Sequence, residues 1–388
     1  MRLINTSTLM LEEFLGLPPP YAILSHTWED DEVMFENMQR GTANLHRGFC
    51  KVKKCCELAA SQNYKYVWID TCCIDKSSSA ELSEAINSMF AYYEKSNICY
   101  VYLDVEVTSG LLSAEQLSKA RWTYRGWTLQ ELLAPTEVYF YDKGWNFCGS
   151  RAARAHEIAQ VTNISSDILG IRPPWTVLNL SNFSIADRMS WMSHRQTTRP
   201  EDIAYSLFGI FNVSLTPIYG EGAAKAFRRL QEEILKHSND LSILAWTLDP
   251  ESTIADVPLV KGGLAMTSQW FARGRSISVS DTEVEPFVMT NKGLRVELPL
   301  IKHPSEPERL VATALLPNCH FQHFPNTVVG IELESFPSRG GNNVWYRRTG
   351  FRGKDCTLSD VHPVDKEALS RAELRRIYIG MSYRPSRL

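Results

Sequence analysis

Residues 66–103 carry the pattern that decides the fold: Tyr66-Val-Trp-Ile-Asp70, then a helical segment, then Ile98-Cys-Tyr-Val-Tyr-Leu103. Both quoted runs are short, apolar and rich in aromatic or β-branched residues, which is typical of buried strands. Between them, Ser78-Ser-Ala-Glu81 fits a capping box at a helix start. Behind this box, apolar residues recur at helical spacing at Leu82, Ile86, Met89, Phe90 and Tyr93. The stretch therefore predicts a strand, a helix and a second strand.

The same alternation extends to both sides of this unit. Tyr21-Ala-Ile-Leu-Ser25 predicts an earlier strand, residues 49–62 predict a helix after it, and Glu137-Val-Tyr-Phe-Tyr141 predicts a later strand. Strands that alternate with helices favour a parallel α/β sheet. Ligands of such sheets bind outside the carboxyl ends of the strands. We therefore expect a site along the rim where the polar residues Ser25, His26, Asp70 and Asp104 follow the strands.

The segment Arg125-Gly-Trp-Thr-Leu-Gln-Glu131-Leu-Leu-Ala-Pro135 predicts a very short helix with one carboxylate. Trp127 and Glu131 are four residues apart and would share a helix face. An aromatic plane beside an anion could hold a cationic, ring-bearing ligand. Thr128-Leu-Gln-Glu131 also fits a capping box, in which Glu131 only satisfies backbone N–H groups. The local sequence favours the cap, and both interpretations stay open at this point.

Composition limits the function classes. The 388 residues are enough for two domains, and 44% hydrophobic with 22% charged residues is ordinary for a folded soluble protein. A net charge of −3 gives no general reason to expect nucleic acid. No signal peptide or membrane span is recognisable. The nine cysteines lack metal-site spacing, so we expect a reduced, cytoplasmic protein with no metal and no permanently bound cofactor.

The rest of the chain divides into a helical part and a β-rich part. Residues 150–240 look helical, and Tyr219-Gly-Glu-Gly222 opens one helix. This glycine pair could cradle a phosphate, or form only a tight entry turn, which is the commoner role. After Ser242, short β-like runs predict an antiparallel domain. These runs are Phe287–Met289, Leu294–Leu300, Arg309–Leu315, Thr327–Leu333 and Arg376–Ile379. The predicted domains are an α/β core over 1–150, a helical extension over 151–246 and a β-rich accessory domain over 247–388.

Several long motifs, in order, resemble the fungal heterokaryon-incompatibility (HET) domain family. They are Tyr21-Ala-Ile-Leu-Ser-His-Thr-Trp28, Tyr66-Val-Trp-Ile-Asp-Thr-Cys-Cys-Ile-Asp-Lys76, Arg125-Gly-Trp-Thr-Leu-Gln-Glu131, the stretch from Ser190 to Tyr205, Tyr219-Gly-Glu-Gly222 and Asp240-Leu-Ser-Ile-Leu-Ala-Trp246. The resemblance covers roughly Leu3 to Trp246. It implies a role in non-self recognition and regulated cell death.

HET domains in turn look like distant relatives of TIR domains, which share a flavodoxin-like parallel sheet. Many TIR domains cleave NAD⁺ into nicotinamide and an ADP-ribose product, with a catalytic Glu in a Trp-x-x-x-Glu helix motif. Trp127-Thr-Leu-Gln-Glu131 matches that spacing, so the resemblance implies that Glu131 is catalytic and that NAD⁺ is the substrate. Thr128 departs from the Cys that is common in plant TIR domains.

The chemistry suits a single carboxylate. Cleavage passes through an oxocarbenium-like state, and the leaving nicotinamide is already a cationic pyridinium. Glu131 could stabilise the charge that grows on the ribose, and we expect the helix dipole to keep it ionised. Trp28 and Trp127 offer flat faces for nicotinamide or adenine, although each could equally be a core aromatic.

Polar residues complete the predicted NAD⁺ site. Ser25 and His26 could hydrogen-bond ribose or phosphate, with a structural imidazole as the alternative for His26. Asp70 could bind ribose hydroxyls or brace the loop that follows it. Arg121 and Arg125 could bind the pyrophosphate, with surface ion pairs as the alternative.

Two other functions stay open. The first is a catalytically silent module that signals by self-association or through a protein partner, with Glu131 only as a cap. The second is a cysteine hydrolase that uses Cys72 or Cys73 with His26 and Asp70. A free Cys is more commonly a small, buried hydrophobic residue. The charged stretch 195–202 is predicted to buttress the α/β domain, with an assembly surface as the alternative.

Overall fold

The computed structural model describes residues 1–108, 110–170, 180–247, 263–291, 293–303, 311–324, 326–336, 345–348 and 361–380. The chain forms two compact units. Unit 1 comprises Met1–Leu180 and Arg195–Gly220, and unit 2 comprises Ser181–His194 and Glu221–Leu388. This division assigns parts of the predicted helical extension, 151–246, to both units. The boundaries at 150 and 246 stay predictions.

The described part of unit 1 contains a seven-stranded sheet. Its strands are β1 (Arg2–Asn5), β2 (Leu11–Glu13), β3 (Ala22–His26), β4 (Tyr66–Trp68), β5 (Ile98–Tyr102), β6 (Val138–Tyr141) and β7 (Phe147–Ser150). Their spatial order is β2-β1-β4-β3-β5-β6-β7. The neighbours β4, β3, β5 and β6 are parallel, whereas β1, β2 and β7 pair antiparallel at the two edges.

The four parallel strands confirm the predicted α/β core. Taken in chain order, they occupy the spatial order 2-1-3-4, which is the flavodoxin-like doubly wound arrangement. The winding reverses between β3 and β5, and the crevice at their carboxyl ends is where this fold binds ligands. The antiparallel edge strands were missed, because each is only three or four residues long and none alternates clearly.

Helices connect these strands. They are α1 (Phe35–Gln39), α2 (Phe49–Ser61), α3 (Asp70–Cys73), α4 (Ser79–Glu94), α5 (Ala114–Lys119), α6 (Arg121–Tyr124), α7 (Thr128–Leu133), α8 (Ala155–Thr162), α9 (Ser166–Gly170), Asp202–Tyr205 and Phe208–Phe211, with a 3₁₀ turn at Ala43–Leu45. The predicted cap of α4 is confirmed, since Ser78 Oγ accepts from the Glu81 amide at 3.3 Å. The Glu81 carboxylate accepts instead from the Asp75 amide, so only half of the box forms.

Unit 2 is rich in antiparallel strands, as predicted. Its strands are β8 (Ile277–Val279), β9 (Val288–Thr290), β10 (Gly293–Lys302), β11 (Val311–Leu316), β12 (Cys319–Phe321), β13 (Thr327–Phe336), β14 (Trp345–Arg348), β15 (Val361–Asp365) and β16 (Glu373–Gly380). Its helices and 3₁₀ turns are Ile185–Ser190, Ala223–Ile234, Leu241–Leu244, Ser268–Phe271, Gly274–Ser276 and Ala368–Arg371.

Five strands of unit 2 close into a ring. The order β11-β10-β16-β14-β13 is completed by a pairing of β13 with β11, and only the β14–β16 pair among the described pairings of this ring is parallel. β9 and β15 pair with β10 and β13, while β8 and β12 form a separate two-stranded sheet. Along β10, Leu294, Val296, Leu298 and Leu300 are buried, which is the period-two pattern of a strand with one core face.

Candidate functional site

Glu131 lies in α7, between β5 and β6 in the chain, and is only 8% exposed. Its Oε2 accepts a hydrogen bond from Ser25 Oγ at 2.5 Å. Ser25 is fully buried at the end of β3, and its Oγ accepts from Trp122 Nε1 at 2.6 Å. A buried chain of hydrogen bonds thus joins Trp122, Ser25 and Glu131 at the carboxyl edge of the sheet, beside the point where the winding reverses.

The capping box predicted at Thr128–Glu131 is wrong. The N-cap of α7 is Trp127, and no side chain caps this helix. Thr128 Oγ1 lies 2.7 Å from the carbonyl oxygens of Trp122 and Arg125, to which it can donate. The Glu131 carboxylate instead accepts from a side chain 106 residues away in the chain, which no local pattern could reveal.

Arg195 holds the start of α7 from outside the motif. Its Nη1 donates to the Arg125 carbonyl at 2.9 Å and to Thr128 Oγ1 at 2.7 Å. The side chain is 3% exposed, and its Nη2 has no hydrogen-bond partner among the described residues. Burial lowers the pKa of Arg195 to about 10, and the nearby Glu131 carboxylate opposes that shift. These contacts support the prediction that residues 195–202 buttress the α/β core.

The environment of Glu131 contradicts the expectation that the helix dipole keeps it ionised. Burial raises the pKa of Glu131 to about 7, and the negative Asp70 acts in the same direction. The hydrogen bond from Ser25 and the charges of Arg125 and His26 oppose this rise. Glu131 lies in the first turn of α7, but this helix has only six residues, and its dipole does not outweigh the effect of burial. Glu131 therefore keeps its proton to a higher pH than an exposed glutamate does.

Asp70 organises a second cluster at the start of α3. Its Oδ1 lies 3.1 Å from His26 Nε2, and its Oδ2 accepts from Trp28 Nε1 at 3.1 Å and from Lys76 Nζ at 3.4 Å. Burial raises the pKa of Asp70, but Lys76, His26 and Arg125 outweigh it and hold that pKa well below its usual range. Asp70 is therefore an anion that braces the surrounding loops, which was one of its two predicted roles.

His26 is held from its other side by a buried ion pair between Lys51 and Glu32. Lys51 Nζ lies 3.2 Å from His26 Nδ1. Burial lowers the pKa of His26, but its hydrogen bonds to Asp70 and Glu32 outweigh that effect and leave the pKa raised. The Glu32 pKa falls to about 2, since His26 and Lys51 overcome the opposing effect of burial. The ring of His26 is thus engaged on both nitrogens, which supports the structural alternative.

Trp28 is flanked by two cations. Lys76 Nζ lies 3.6 Å from its ring centroid, and Arg125 Cζ lies 5.2 Å from it. Within the described residues, the Arg125 guanidinium has no hydrogen bond or ion pair, so it can bind an anion. Arg121 differs, because its Nε donates to Asp104 Oδ2 at 2.6 Å and its side chain is 56% exposed. For Arg121 the surface ion pair is confirmed.

The Trp127 side chain is directed away from Glu131, with which it was predicted to share a helix face. Its Nε1 donates to Asp202 Oδ2 at 3.2 Å, and Asp202 Oδ1 accepts from the Tyr219 hydroxyl at 3.0 Å. The Arg199 guanidinium carbon lies 4.0 Å from the Tyr219 ring centroid. The structure therefore groups Trp127 with Asp202 and Tyr219, whereas Glu131 is grouped with Ser25.

The glycine pair behaves as an entry turn. Gly220 and Gly222 have φ of +94° and +85°, a region that favours glycine. The Gly220 amide donates to Glu201 Oε1 at 3.0 Å. That amide is therefore used inside the protein, which supports the turn interpretation rather than a phosphate cradle.

The cysteine interpretation finds no support. Cys72 and Cys73 are 0% and 4% exposed, and burial raises the pKa of both thiols, to about 12 for Cys73. Cys72 Sγ donates to the Val33 carbonyl at 3.4 Å. Neither thiol is paired with His26, whose ring nitrogens face Asp70 and Lys51.

A cavity of about 500 Å³ opens near the carboxyl end of β5. Its lining is polar and consists of Asp104, Val105, Glu106, Ser113, Glu115, Gln116, Lys119 and Lys143. Glu131 and Ser25 do not belong to that lining. We place the candidate site at Glu131 all the same, because its carboxylate is bonded to Ser25 at the edge of the sheet where this fold binds ligands.

Several residues of the site were missed from the sequence. Trp122, Lys51 and Glu32 were not assigned to the site, since each acts through a contact distant in sequence. Arg195 lies in the charged stretch that was predicted to buttress the core, but its contact with Thr128 was not predicted. Lys76 is the last residue of the motif that starts at Tyr66. Its position in that motif was the one feature of the sequence that could have assigned Lys76 to the site.

Comparison with known proteins gives consistent matches. Residues 21–118 match the family model described as Heterokaryon incompatibility protein (HET), and residues 225–261 match a Domain of unknown function (DUF8212). The vegetative incompatibility protein HET-E-1 of Podospora anserina is 45% identical over 262 residues, which cover 65% of this chain and 19% of that protein. The chain therefore spans about a fifth of that relative. No solved structure matches the chain.

Among the described residues, no helix combines the length and the hydrophobicity that crossing a membrane requires. The matched segment contains Ser25, His26, Trp28 and Asp70, while Glu131 follows it in the same unit. The motifs, the α/β fold and the two matches agree that this chain contains a HET domain.

Proposed function

We propose that this chain acts in heterokaryon incompatibility, as an effector of regulated cell death that cleaves NAD⁺ at the nicotinamide–ribose bond. The matched family and the name of the matched relative both concern incompatibility. The finer claim, NAD⁺ cleavage, is carried by one observation. Glu131, in the Trp-x-x-x-Glu motif, is held by Ser25 at the carboxyl edge of a flavodoxin-like sheet, where such folds bind ligands.

The proposed reaction needs little proton transfer at first. The bond between ribose C1′ and the pyridinium nitrogen breaks, its electron pair stays on nitrogen, and neutral nicotinamide leaves. Ionised Glu131 stabilises the positive charge that develops on the ribose. Water then attacks C1′ and loses a proton to give ADP-ribose. Because the pKa of Glu131 is about 7, the reactive carboxylate form increases as the pH rises through neutrality.

Two neighbours of Glu131 suit the rest of the dinucleotide. The half-buried Arg125 guanidinium lies beside the Trp28 ring and has no hydrogen bond or ion pair among the described residues, so it suits the diphosphate. Ser25 donates to Glu131 in the free protein, and a ribose hydroxyl can take its place when substrate binds. His26 and Asp70 act as positioning residues, because Asp70 is hydrogen-bonded to both His26 and Trp28 and fixes these side chains.

A second candidate function rests on the burial of the same residues. Ser25 is fully buried and Glu131 is 8% exposed, so a substrate reaches the carboxylate only after the surrounding side chains move. A module that signals by self-association needs no such access. In that case the Ser25–Glu131 hydrogen bond serves only to fix α7 against β3.

Nicotinamide release from NAD⁺ by the purified chain separates the two functions. The assay compares the wild type with Glu131→Gln, which preserves the shape of the side chain and removes its charge. Glu115→Gln is the matched control, because that carboxylate is 77% exposed and pairs only with Lys119 among the described residues. We expect Glu131→Gln to lower the rate about 100-fold or more, and Glu115→Gln to leave it unchanged.

Protein concentration is the second variable of this assay. A rate per molecule that rises with concentration supports activation by self-association. Full activity in a folded Glu131→Gln variant would overturn the role of Glu131. Absence of release from the folded wild type at every concentration would favour the interaction module.

A further inference from the structure

The oxygen of Ser25 has the surroundings of a nucleophile. A nucleophilic hydroxyl needs a base within hydrogen-bond reach. Ser25 Oγ donates to Glu131 Oε2 at 2.5 Å and accepts from Trp122 Nε1 at 2.6 Å. A serine oxygen carries one proton and two lone pairs, so these two contacts leave one lone pair available for attack. The hydroxyl proton is already shared with the carboxylate that would receive it.

Buried elements fix the position of this hydroxyl. Ser25 lies in β3, which pairs in parallel with β4 and β5, and its side chain is fully buried. Trp122, which donates to the Ser25 oxygen, is also fully buried, and its ring packs edge-on against Phe140 with 5.6 Å between centroids. A hydroxyl held in this way reacts without the loss of entropy that a free water molecule incurs.

The position of Ser25 also favours it over water as the group that attacks the ribose. A substrate that reaches Glu131 displaces solvent from a site that is already almost closed to solvent. A ribose hydroxyl that binds the Glu131 carboxylate comes next to the Ser25 oxygen, which contacts the same carboxylate. The carbon C1′ is bonded to the carbon of the 2′-hydroxyl. Binding of the ribose at Glu131 therefore brings C1′ into the neighbourhood of Ser25.

We propose that Ser25 is a covalent acceptor of ADP-ribose, so that this chain modifies itself when it cleaves NAD⁺. This inference rests on the proposed cleavage of the nicotinamide–ribose bond. The bond between C1′ and the pyridinium nitrogen breaks, and its electron pair stays on the neutral nicotinamide that leaves. A lone pair of Ser25 Oγ forms the new bond to C1′, and the hydroxyl proton moves to the Glu131 carboxylate. The products are nicotinamide and a chain that carries ADP-ribose, with no further reactant.

The bond formed at Ser25 should be long-lived. In a retaining glycosidase the carboxylate itself bonds to the sugar, and water hydrolyses the resulting ester. A bond from Ser25 to C1′ is an acetal, whose release needs protonation of the serine oxygen. Burial raises the pKa of Glu131 to about 7, so the carboxyl group can hold the transferred proton near neutral pH. Modified molecules therefore accumulate, and activity falls because ADP-ribose on Ser25 occupies the site.

The hydroxyl of Thr128 is less suitable, although Thr128 lies in the same helix as Glu131. Its Oγ1 lies 2.7 Å from the carbonyl oxygens of Trp122 and Arg125, to which it can donate. A carbonyl oxygen is too weak a base to take the proton of an attacking hydroxyl. The contact with Glu131 therefore favours Ser25 as the acceptor.

The experiment incubates the full chain with NAD⁺ and follows nicotinamide release and the mass of the intact protein in parallel. We expect one ADP-ribose to be added per chain, and the rate of release to fall as the modified fraction rises. Digestion and tandem mass spectrometry should place the group on Ser25. This localisation uses the wild type, so it does not depend on how well any variant folds. The bond should survive neutral hydroxylamine, which cleaves an ester between ADP-ribose and Glu131.

Variants test the two partners separately. Ser25→Ala should stay unmodified and release nicotinamide at a constant rate, although that rate should start about tenfold lower. Glu131→Gln should form no adduct, because it lacks the base. Ser96→Ala is the matched control, since Ser96 is also buried but its Oγ donates to the Tyr93 carbonyl at 2.7 Å. This variant should still be modified at Ser25.

The outcomes distinguish this inference from the proposed function on which it rests. Nicotinamide release without an adduct would overturn the role of Ser25 and leave NAD⁺ cleavage standing. An adduct on Glu131, or an adduct that Ser25→Ala retains, would also overturn the role of Ser25 alone. Absence of both release and adduct from the folded wild type would refute NAD⁺ cleavage, and modification of Ser25 with it.

Discussion

Units 1 and 2 each bury a carboxylate whose pKa is raised by burial, yet they use it differently. In unit 2, Asp240 accepts from the Ile185 amide at 2.6 Å and from the Ser242 amide at 2.8 Å. It thereby satisfies backbone donors at two helix starts. In unit 1, Glu131 accepts from the Ser25 hydroxyl and serves no helix cap. Local backbone needs explain Asp240 but not Glu131, and this difference marks Glu131 as a candidate for chemistry.

The surroundings of the two carboxylates differ in their hydrogen bonds. The Asp240 site has the buried charges of Arg188 and Asp187 nearby and adjoins capping hydroxyls, such as Ser184 Oγ, which accepts from the Asp187 amide at 3.0 Å. At the rim of unit 1, the charged side chains of Lys51, Glu32 and Asp70 surround the ring of His26. Buried charges are expensive unless they are paired, and those around His26 pair with one another and hold the loops at the ligand-binding edge of the sheet.

The largest effect should come from Asp240→Ala. The substitution leaves the amides of Ile185 and Ser242 buried without an acceptor, which should destabilise unit 2 by about 2 to 5 kcal/mol. Urea unfolding and faster hydrogen exchange at these two amides measure the loss. Asp240→Asn keeps one acceptor oxygen and should lose less. Unchanged exchange in Asp240→Ala would show that the two buried carboxylates differ less than their hydrogen bonds indicate.

A pH-dependent effect of Glu131→Gln on stability comes next. The folded-state pKa of Glu131 is about 7 against an ordinary value of 4.5. The folded protein therefore holds a proton that the unfolded chain has lost, so the contribution of Glu131 is fully present below pH 4.5. This contribution to the free energy of unfolding disappears as the pH rises through 7. The free energy of unfolding should then be lower by roughly 3 kcal/mol.

Glu131→Gln lacks this titration. The variant should therefore gain stability relative to the wild type between pH 5 and pH 8, as measured by urea unfolding at each pH. A difference between the two proteins that stays constant over this range would contradict a raised pKa for Glu131.

Ser25→Ala should have an intermediate effect. The Ser25 hydrogen bond lowers the pKa of Glu131, so its removal should shift the pH profile of nicotinamide release to higher pH. At pH 7 we expect a rate about tenfold lower, which corresponds to one hydrogen bond to a charged group. Ser25→Thr keeps the hydroxyl and should retain the wild-type midpoint. An unshifted pH profile in Ser25→Ala would show that Ser25 does not influence the ionisation of Glu131 in the reaction.

The smallest effect is expected for Arg121→Ala. This substitution breaks an exposed ion pair with Asp104, so stability should change by less than about 1 kcal/mol. The KM for NAD⁺ should change less than about twofold. Arg125→Ala is the matched comparison, because we assign Arg125 to the diphosphate, and its KM should rise about tenfold. Equal effects of the two variants would contradict that assignment.

The parallel strands β3, β4, β5 and β6 and five strands of the β-rich unit, β9, β10, β11, β13 and β16, were predicted within three residues at their ends. The other described strands, β1, β2, β7, β8, β12, β14 and β15, were not predicted. Tyr66–Trp68 and Ile98–Tyr102 are continuous apolar runs between polar segments. Such short runs are typical of buried strands, whichever strands become their neighbours. The residues at the strand ends, Ser25 and Asp70, were predictable for the same reason. The partners of those residues were not, because a hydrogen bond between Ser25 and Glu131 depends on which strands become neighbours.

The sequence by itself determined the family, the alternation of strands and helices, and the presence of one carboxylate in a short helix. Only the tertiary structure decided what that carboxylate does. A capping pattern at Thr128–Glu131 is satisfied by local geometry alone, whereas the fold brings β3 and α6 beside α7 and offers the hydroxyl of Ser25 instead. Burial at that junction then raised the pKa of Glu131, because solvent exclusion is a property of the packed protein and not of the chain.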